Sequence, residues 1–158
     1  MENLFLPYNL SARIIDAGYN KQPYFNHFVT DSETGEKRLF DYEKDILEDS
    51  DDIVIAPLYQ QALDYIEETM GCCIMTFFNT ANDKWGFRVF PLKMNSPLQV
   101  FEDKDENDSS PMGLGTCSSR YSAYDKVIST MIDVINYSKS SDYQLVSEKV
   151  NEGVSVVE

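Results

Sequence analysis

The chain has one histidine, thirteen basic residues against twenty-seven acidic ones, three cysteines and no long apolar run. Each shortage closes off a class of function. With a single imidazole, any serine-histidine or cysteine-histidine mechanism must use His27, which sits among Phe25 and Phe28 in a stretch of strand composition. A histidine in that setting is ordinarily structural. A formal charge of −14 repels phosphate backbones and anionic headgroups, so direct nucleic-acid binding and membrane-surface binding are both disfavoured. Cys72 and Cys73 are adjacent and Cys117 stands alone, a spacing that makes neither a disulfide framework nor a zinc knuckle. The opening "MENLFLPYNLSARIIDAGY" has no basic start, apolar run or cleavage signature of a secretory signal. Nothing later approaches the roughly 20 apolar residues a bilayer span needs. The expected location is the cytoplasm.

What is present suits a folded domain. Hydrophobic residues make up 42% and aromatics 13% of 158 residues, enough to bury one core and too few for two ordinary domains. The reading is a single α+β domain over residues 1–138, followed by a mobile tail at 139–158. The negative charge is uneven: residues 1–79 carry fifteen acids against five bases, net −10, and residues 80–158 carry twelve against eight, net −4.

Along the chain, Pro7 suits a first helical turn, Leu10, Ile14, Ile15 and Ala17 follow at helical spacing, and Gly18 supplies a stop. "PYFNHFVT" and "KRLFDY" flank a turn centred near Gly35 and read as a hairpin. Residues 43–52, with six acids in ten positions, read as an exposed connector. From there "IVIAPLYQQALDYIEETMG" places Pro57 at a helix start, with Leu58, Tyr59, Ala62, Leu63, Ile66 and Met70 on one side and Gly71 past the end. Its other face, with Gln60, Gln61, Asp64, Glu67 and Glu68, belongs in water. "CCIMTFFN" and "KWGFRVFPLK" form a second hairpin across "TAND", and "SPLQVFED" is a candidate third strand. In the last segment Tyr124, Val127, Ile128, Met131 and Ile135 give the strongest amphipathic helix, with Ser118, Ser119 and Ser122 as candidate N-caps. The resulting architecture is an antiparallel sheet of two hairpins with three helices packed on it.

The segments "FLPYNLSARIIDAGYNKQPYF", "APLYQQALDYIEETMG" and "RYSAYDKVISTMIDVIN", in that order, resemble small uncharacterised proteins carried by phages, prophages and mobile elements of gut Bacteroides-type bacteria. The likeness spans roughly residues 4–138, and "APLYQQALDYI" is its sharpest element. This chain departs from that group in reading Tyr65-Ile66 where the group has a Trp-Phe pair, and in a longer, more acidic insertion at 95–118. The resemblance implies an α+β fold, a phage-related setting and hence a bacterial host cytoplasm. It brings no activity, cofactor or catalytic residue.

Three stretches invite a chemical reading. "DKDENDSSPMGL" puts Asp103, Asp105 and Asn107 at the first, third and fifth positions of a calcium loop, but has Asp108 where the turn needs glycine and Leu114 where a bidentate glutamate is required. "GLGTCSSR" puts Gly113 and Gly115 ahead of a helix start with Arg120 nearby, a weak candidate anion site lacking both P-loop and dinucleotide spacing. Asp64, Glu67 and Glu68 are carboxylates on a wet helix face, too ordinary to select for acid-base work. No catalytic residue, cofactor-binding residue or metal ligand is assigned.

The more useful signal is the surplus of tyrosine: Tyr8, Tyr19, Tyr24, Tyr42, Tyr59, Tyr121, Tyr137 and Tyr143 cannot all be central core. Tyrosine offers large contact area at little rotamer cost and is enriched in interfaces. With the acids Glu43, Asp45, Glu48, Asp49, Asp51 and Asp52, and Glu102, Asp103, Asp105, Glu106 and Asp108, it suits a basic host or phage protein as partner. The function expected is non-catalytic binding, in host takeover or anti-defence. The alternatives are a small-ligand or nucleotide-binding protein or enzyme with a site from Gly113 to Arg120, and a minor structural protein of the virion.

Overall fold

A computed structural model describes residues 4–20, 26–31, 33–41, 53–92 and 113–140. These residues fold as α1 (Tyr8–Asp16), β1 (Asn26–Thr30), β2 (Lys37–Asp41), β3 (Ile53–Ile55), α2 (Tyr59–Met70), β4 (Cys72–Asn79), β5 (Lys84–Pro91), β6 (Gly113–Cys117) and α3 (Arg120–Ser138). The fold is α+β, with three helices and antiparallel strands among the described residues, as the sequence indicates. The two hairpins belong to separate three-stranded sheets, ordered β2-β1-β3 and β4-β5-β6. The chain packs as two compact units, Met1–Tyr65 and Ile66–Glu158, divided inside α2.

In the first unit α1 starts after Pro7 without a side-chain cap and ends in a glycine motif. The Ser11 N–H donates to the Pro7 carbonyl at 2.9 Å, and the buried Ser11 hydroxyl donates to the Leu6 carbonyl at 3.2 Å. At the other end Gly18 takes φ +105°, its N–H reaching Ile15 and the Tyr19 N–H reaching Ile14. These are the two bonds of a Schellman motif, which a residue with a Cβ closes less readily. The Tyr65 hydroxyl donates to the Ala17 carbonyl at 2.9 Å, and its ring meets Tyr19 edge-on at 5.4 Å. Leu6, Leu10, Ile14 and Ala17 are buried, while α1 lies against β3.

The first hairpin turns where expected. Gly35 has φ +69°, and the Asp31 carboxylate accepts from the Thr34 and Glu33 N–H groups at 2.8 and 2.9 Å. Those two backbone donors hold its pKa below the usual carboxylate range. Tyr8 stacks edge-on with Phe28 at 5.7 Å, and the Lys37 ammonium lies 3.8 Å from the Tyr8 ring centre. β3 corrects the sequence reading: Ile53–Ile55 pairs with β1, Phe28 opposite Val54, instead of leading into the helix. Pro57 is accordingly buried two residues short of α2. The Leu58 N–H there donates to Gln61 Oε1 at 2.9 Å, as in the return half of a capping box.

In the second unit β4 and β5 pair in unbroken register from Cys72 opposite Pro91 to Asn79 opposite Lys84. Asn79 shapes the turn by accepting the Ala81 N–H at 3.0 Å. β6 adds to β5 with a register shift between Trp85 and Phe87, and α3 lies against all three strands. Ala123, Val127, Ile128, Met131, Ile132, Val134 and Ile135 of α3 are buried, as are Cys72, Phe87, Val89 and Cys117 of the sheet. Among the described residues the third strand of this sheet is Gly113–Cys117. The stretch "SPLQVFED", the acidic connector 43–52 and the tail beyond residue 140 lie outside the described residues.

Candidate functional site

The side chains that come together on the second unit surround Arg120. Ser119 caps α3, its hydroxyl accepting the Ser122 N–H at 3.0 Å, which places Arg120 at the first helical position. One turn on is Tyr124, and across from the helix start is Trp85, the residue of β5 that pairs with Cys117. The Arg120 guanidinium carbon lies 5.4 Å from the Tyr124 ring centre and 5.9 Å from that of Trp85. Both distances fall within cation–π reach. Phe78 extends the cluster on one side, its ring 5.5 Å from Trp85, and Tyr121 on the other, 6.3 Å from Tyr124. Phe78 is 45% and Tyr121 43% exposed, so two large rings flank an exposed arginine at the surface.

Chemically this is a cationic plane held by aromatic faces. A guanidinium anchored over rings keeps its in-plane N–H donors for a carboxylate or a backbone carbonyl, and the rings add apolar contact around it. Trp, Tyr and Arg are the side chains that most often dominate interface energetics. The other face of the β4-β5 hairpin carries a related arrangement, with the Arg88 guanidinium 5.4 Å from the Phe77 ring centre and Met75 and Phe90 exposed beside it.

The weak anion-site candidates Gly113, Gly115 and Arg120 are distributed between β6 and the start of α3. Gly113 and Gly115 are residues of a strand, Gly113 opposite Phe87, so their amides belong to β6 and not to a loop at the helix start. Arg120 turns to the aromatic rings instead. His27 lies in the central strand β1, with its backbone opposite Phe40 and Ile55. The supposed wet face of α2 also needs correction at two residues: Gln61 accepts the Leu58 N–H and the Glu67 carboxylate accepts the Ile74 N–H at 2.6 Å, while Asp64 accepts from Gln60 at 2.7 Å on the exposed side. The acids Glu43, Asp45, Glu48, Asp49, Asp51, Asp52, Glu102, Asp103, Asp105, Glu106 and Asp108 lie outside the described residues, and of the calcium-like stretch only Gly113 and Leu114, in β6, are described. Among the described residues no group of three or more His, Cys, Asp or Glu is placed to hold a metal ion, and no helix is long and apolar enough to cross a membrane.

The cysteines are free, with Cys72 and Cys117 buried. Burial, with the Glu67 carboxylate and Cys73 adding to it, pushes the Cys72 thiol up to about 12. Since the thiolate is the reactive form, native protein treated with a maleimide near neutral pH is expected to leave Cys72 and Cys117 unmodified. Full labelling should require denaturant, as mass spectrometry of the alkylated chain will read.

Comparison with protein-family models, curated proteins and solved structures returns no match.

Proposed function

We propose that the protein is a non-catalytic accessory factor that acts by binding another protein, with the Arg120 cluster as its short-range contact. The observation that carries this reading is the pairing of exposed Phe78 and Tyr121 around an arginine already held over Trp85 and Tyr124. Anchoring the guanidinium before binding lowers the entropy cost of using it. The net charge of −14 supports a basic partner steered from a distance, while the arginine engages a carboxylate or carbonyl on that partner's surface. The sequence resemblance supports a phage or prophage setting, and host takeover or anti-defence is the role that fits an acidic binder of basic proteins.

The test is quantitative affinity capture from a Bacteroides-type extract, comparing wild type with Arg120→Ala and Tyr121→Ala. A basic partner should be retained by wild type, fall about tenfold with either variant, an interface loss of about 1.4 kcal/mol, and fall again between about 50 and 500 mM salt. Equal retention by wild type and both folded variants sinks the Arg120 contact. A thermal shift with nucleotides or divalent ions, and no captured protein, would favour ligand binding instead.

A further inference from the structure

We infer that the edge of β4 left unpaired among the described residues is a self-association surface, through which a second copy of this chain pairs antiparallel about a twofold axis at Phe77. This goes beyond the binding role assigned to the Arg120 cluster and does not depend on it.

In an antiparallel ladder each residue points its N–H and C=O either both toward the paired strand or both away from it. The Ile74 N–H is bound by Glu67, so Ile74 points away from Val89, its partner on β5. Because the register is unbroken, Thr76 and Phe78 point away from β5 too. Strand order β4-β5-β6 leaves that side as a sheet edge among the described residues.

Natural edges are normally blunted by charge, proline, a bulge or short length. The sequence of β4, "CCIMTFFN", runs eight residues without a charge, a proline or a glycine, in a chain of net charge −14. The net charge opposes association of two copies overall, and β4 adds no charge of its own to that repulsion. A twofold at Phe77 sets Thr76 of each copy against Phe78 of the other, closing about four backbone hydrogen bonds. The two Phe77 rings then face each other across the axis, an aromatic cross-strand pair. Glu67 ends the pairing at Ile74 and so fixes its register.

Sedimentation equilibrium of the full chain in reductant, up to about 100 μM, tests this. A reversible dimer is expected that tightens from about 50 to 500 mM salt as like-charge repulsion is screened, opposite in sign to partner capture. Thr76→Pro removes an outward N–H without touching the β5 ladder, and should weaken the dimer at least about tenfold. Arg120→Ala should leave it unchanged. As a readout needing no variant, hydrogen exchange at Thr76 and Phe78 should slow as concentration rises. A wild type monomeric at every concentration and salt overturns the inference. So does a dimer that persists in folded Thr76→Pro, or one that forms with no concentration-dependent protection at those two amides.

Discussion

Replacing Ile128 by alanine is expected to lower stability by about 3–4 kcal/mol, in the upper part of the range for truncating a buried aliphatic side chain. Ile128 is fully buried in the middle of α3, with Val127, Met131, Ile132 and Ile135 buried on the same helix. Because α3 lies against β4, β5 and β6, the cavity is hemmed by sheet and helix and cannot easily collapse. Against a total of about 5–15 kcal/mol for a domain of ordinary stability, the loss is a substantial fraction. Urea unfolding should show a lower midpoint at an unchanged slope. Exposed Asn136 on the same helix is the control, since its alanine variant should stay within about 0.5 kcal/mol of wild type. An Ile128→Ala loss below about 1 kcal/mol would mean that α3 does not close this core.

Glu67→Ala is expected to cost about 2 kcal/mol, in proportion to a charge-assisted hydrogen bond with one partner deleted. The Glu67 carboxylate reaches past Gly71 to the Ile74 N–H at 2.6 Å, and so ties the last turns of α2 to the first residues of β4. Gly71, at φ +61°, makes the turn that allows it, and its carbonyl accepts the Leu92 N–H at 2.8 Å. Glu67→Gln keeps an acceptor and should lose about half as much. Hydrogen exchange at the Ile74 amide should rise in the alanine variant and stay near wild type in the glutamine one. Equal losses in both variants would show that the negative charge, and not the bond, is what matters. If β4 also self-associates, Glu67→Ala opens one further amide to pairing, and its dimer should be tighter although its monomer is weaker.

The Glu67 case shows where pattern reading stops. Its position among Asp64 and Glu68 assigns it to the solvent side of α2, and on a helical wheel that assignment is correct. What changes its role is the chain's return seven residues later, which no periodicity within the helix reports. β3 is a different kind of miss. Ile53-Val54-Ile55 is a β-branched run ended by a proline two residues on, a legible strand signal, but it is only three residues long and adjoins the stronger amphipathic pattern of α2. β6 carried no such signal. "GLGTC" has two glycines, which strands disfavour, and it becomes a strand only because β5 offers an edge beside it.

The Arg120 cluster divides in the same way. Arg120, Tyr121 and the cap Ser119 are legible from their local sequence. Phe78 and Trp85 are not legible as their neighbours, because they lie about forty positions away along the chain and meet Arg120 only through the pairing of β5 with β6.

By itself the sequence determined the α+β class, the three helices, both hairpins and most of the buried helical faces. These follow from local rules: apolar spacing at helical period, glycine where φ is positive, turn residues between apolar runs. Tertiary structure alone decided that the hairpins belong to separate sheets, that β3 and β6 complete them, that Glu67 serves β4, and that an arginine sits among aromatic rings. Those outcomes depend on contacts between residues far apart in the chain, whose energy is set by which edges and faces remain unpaired once the local elements have formed.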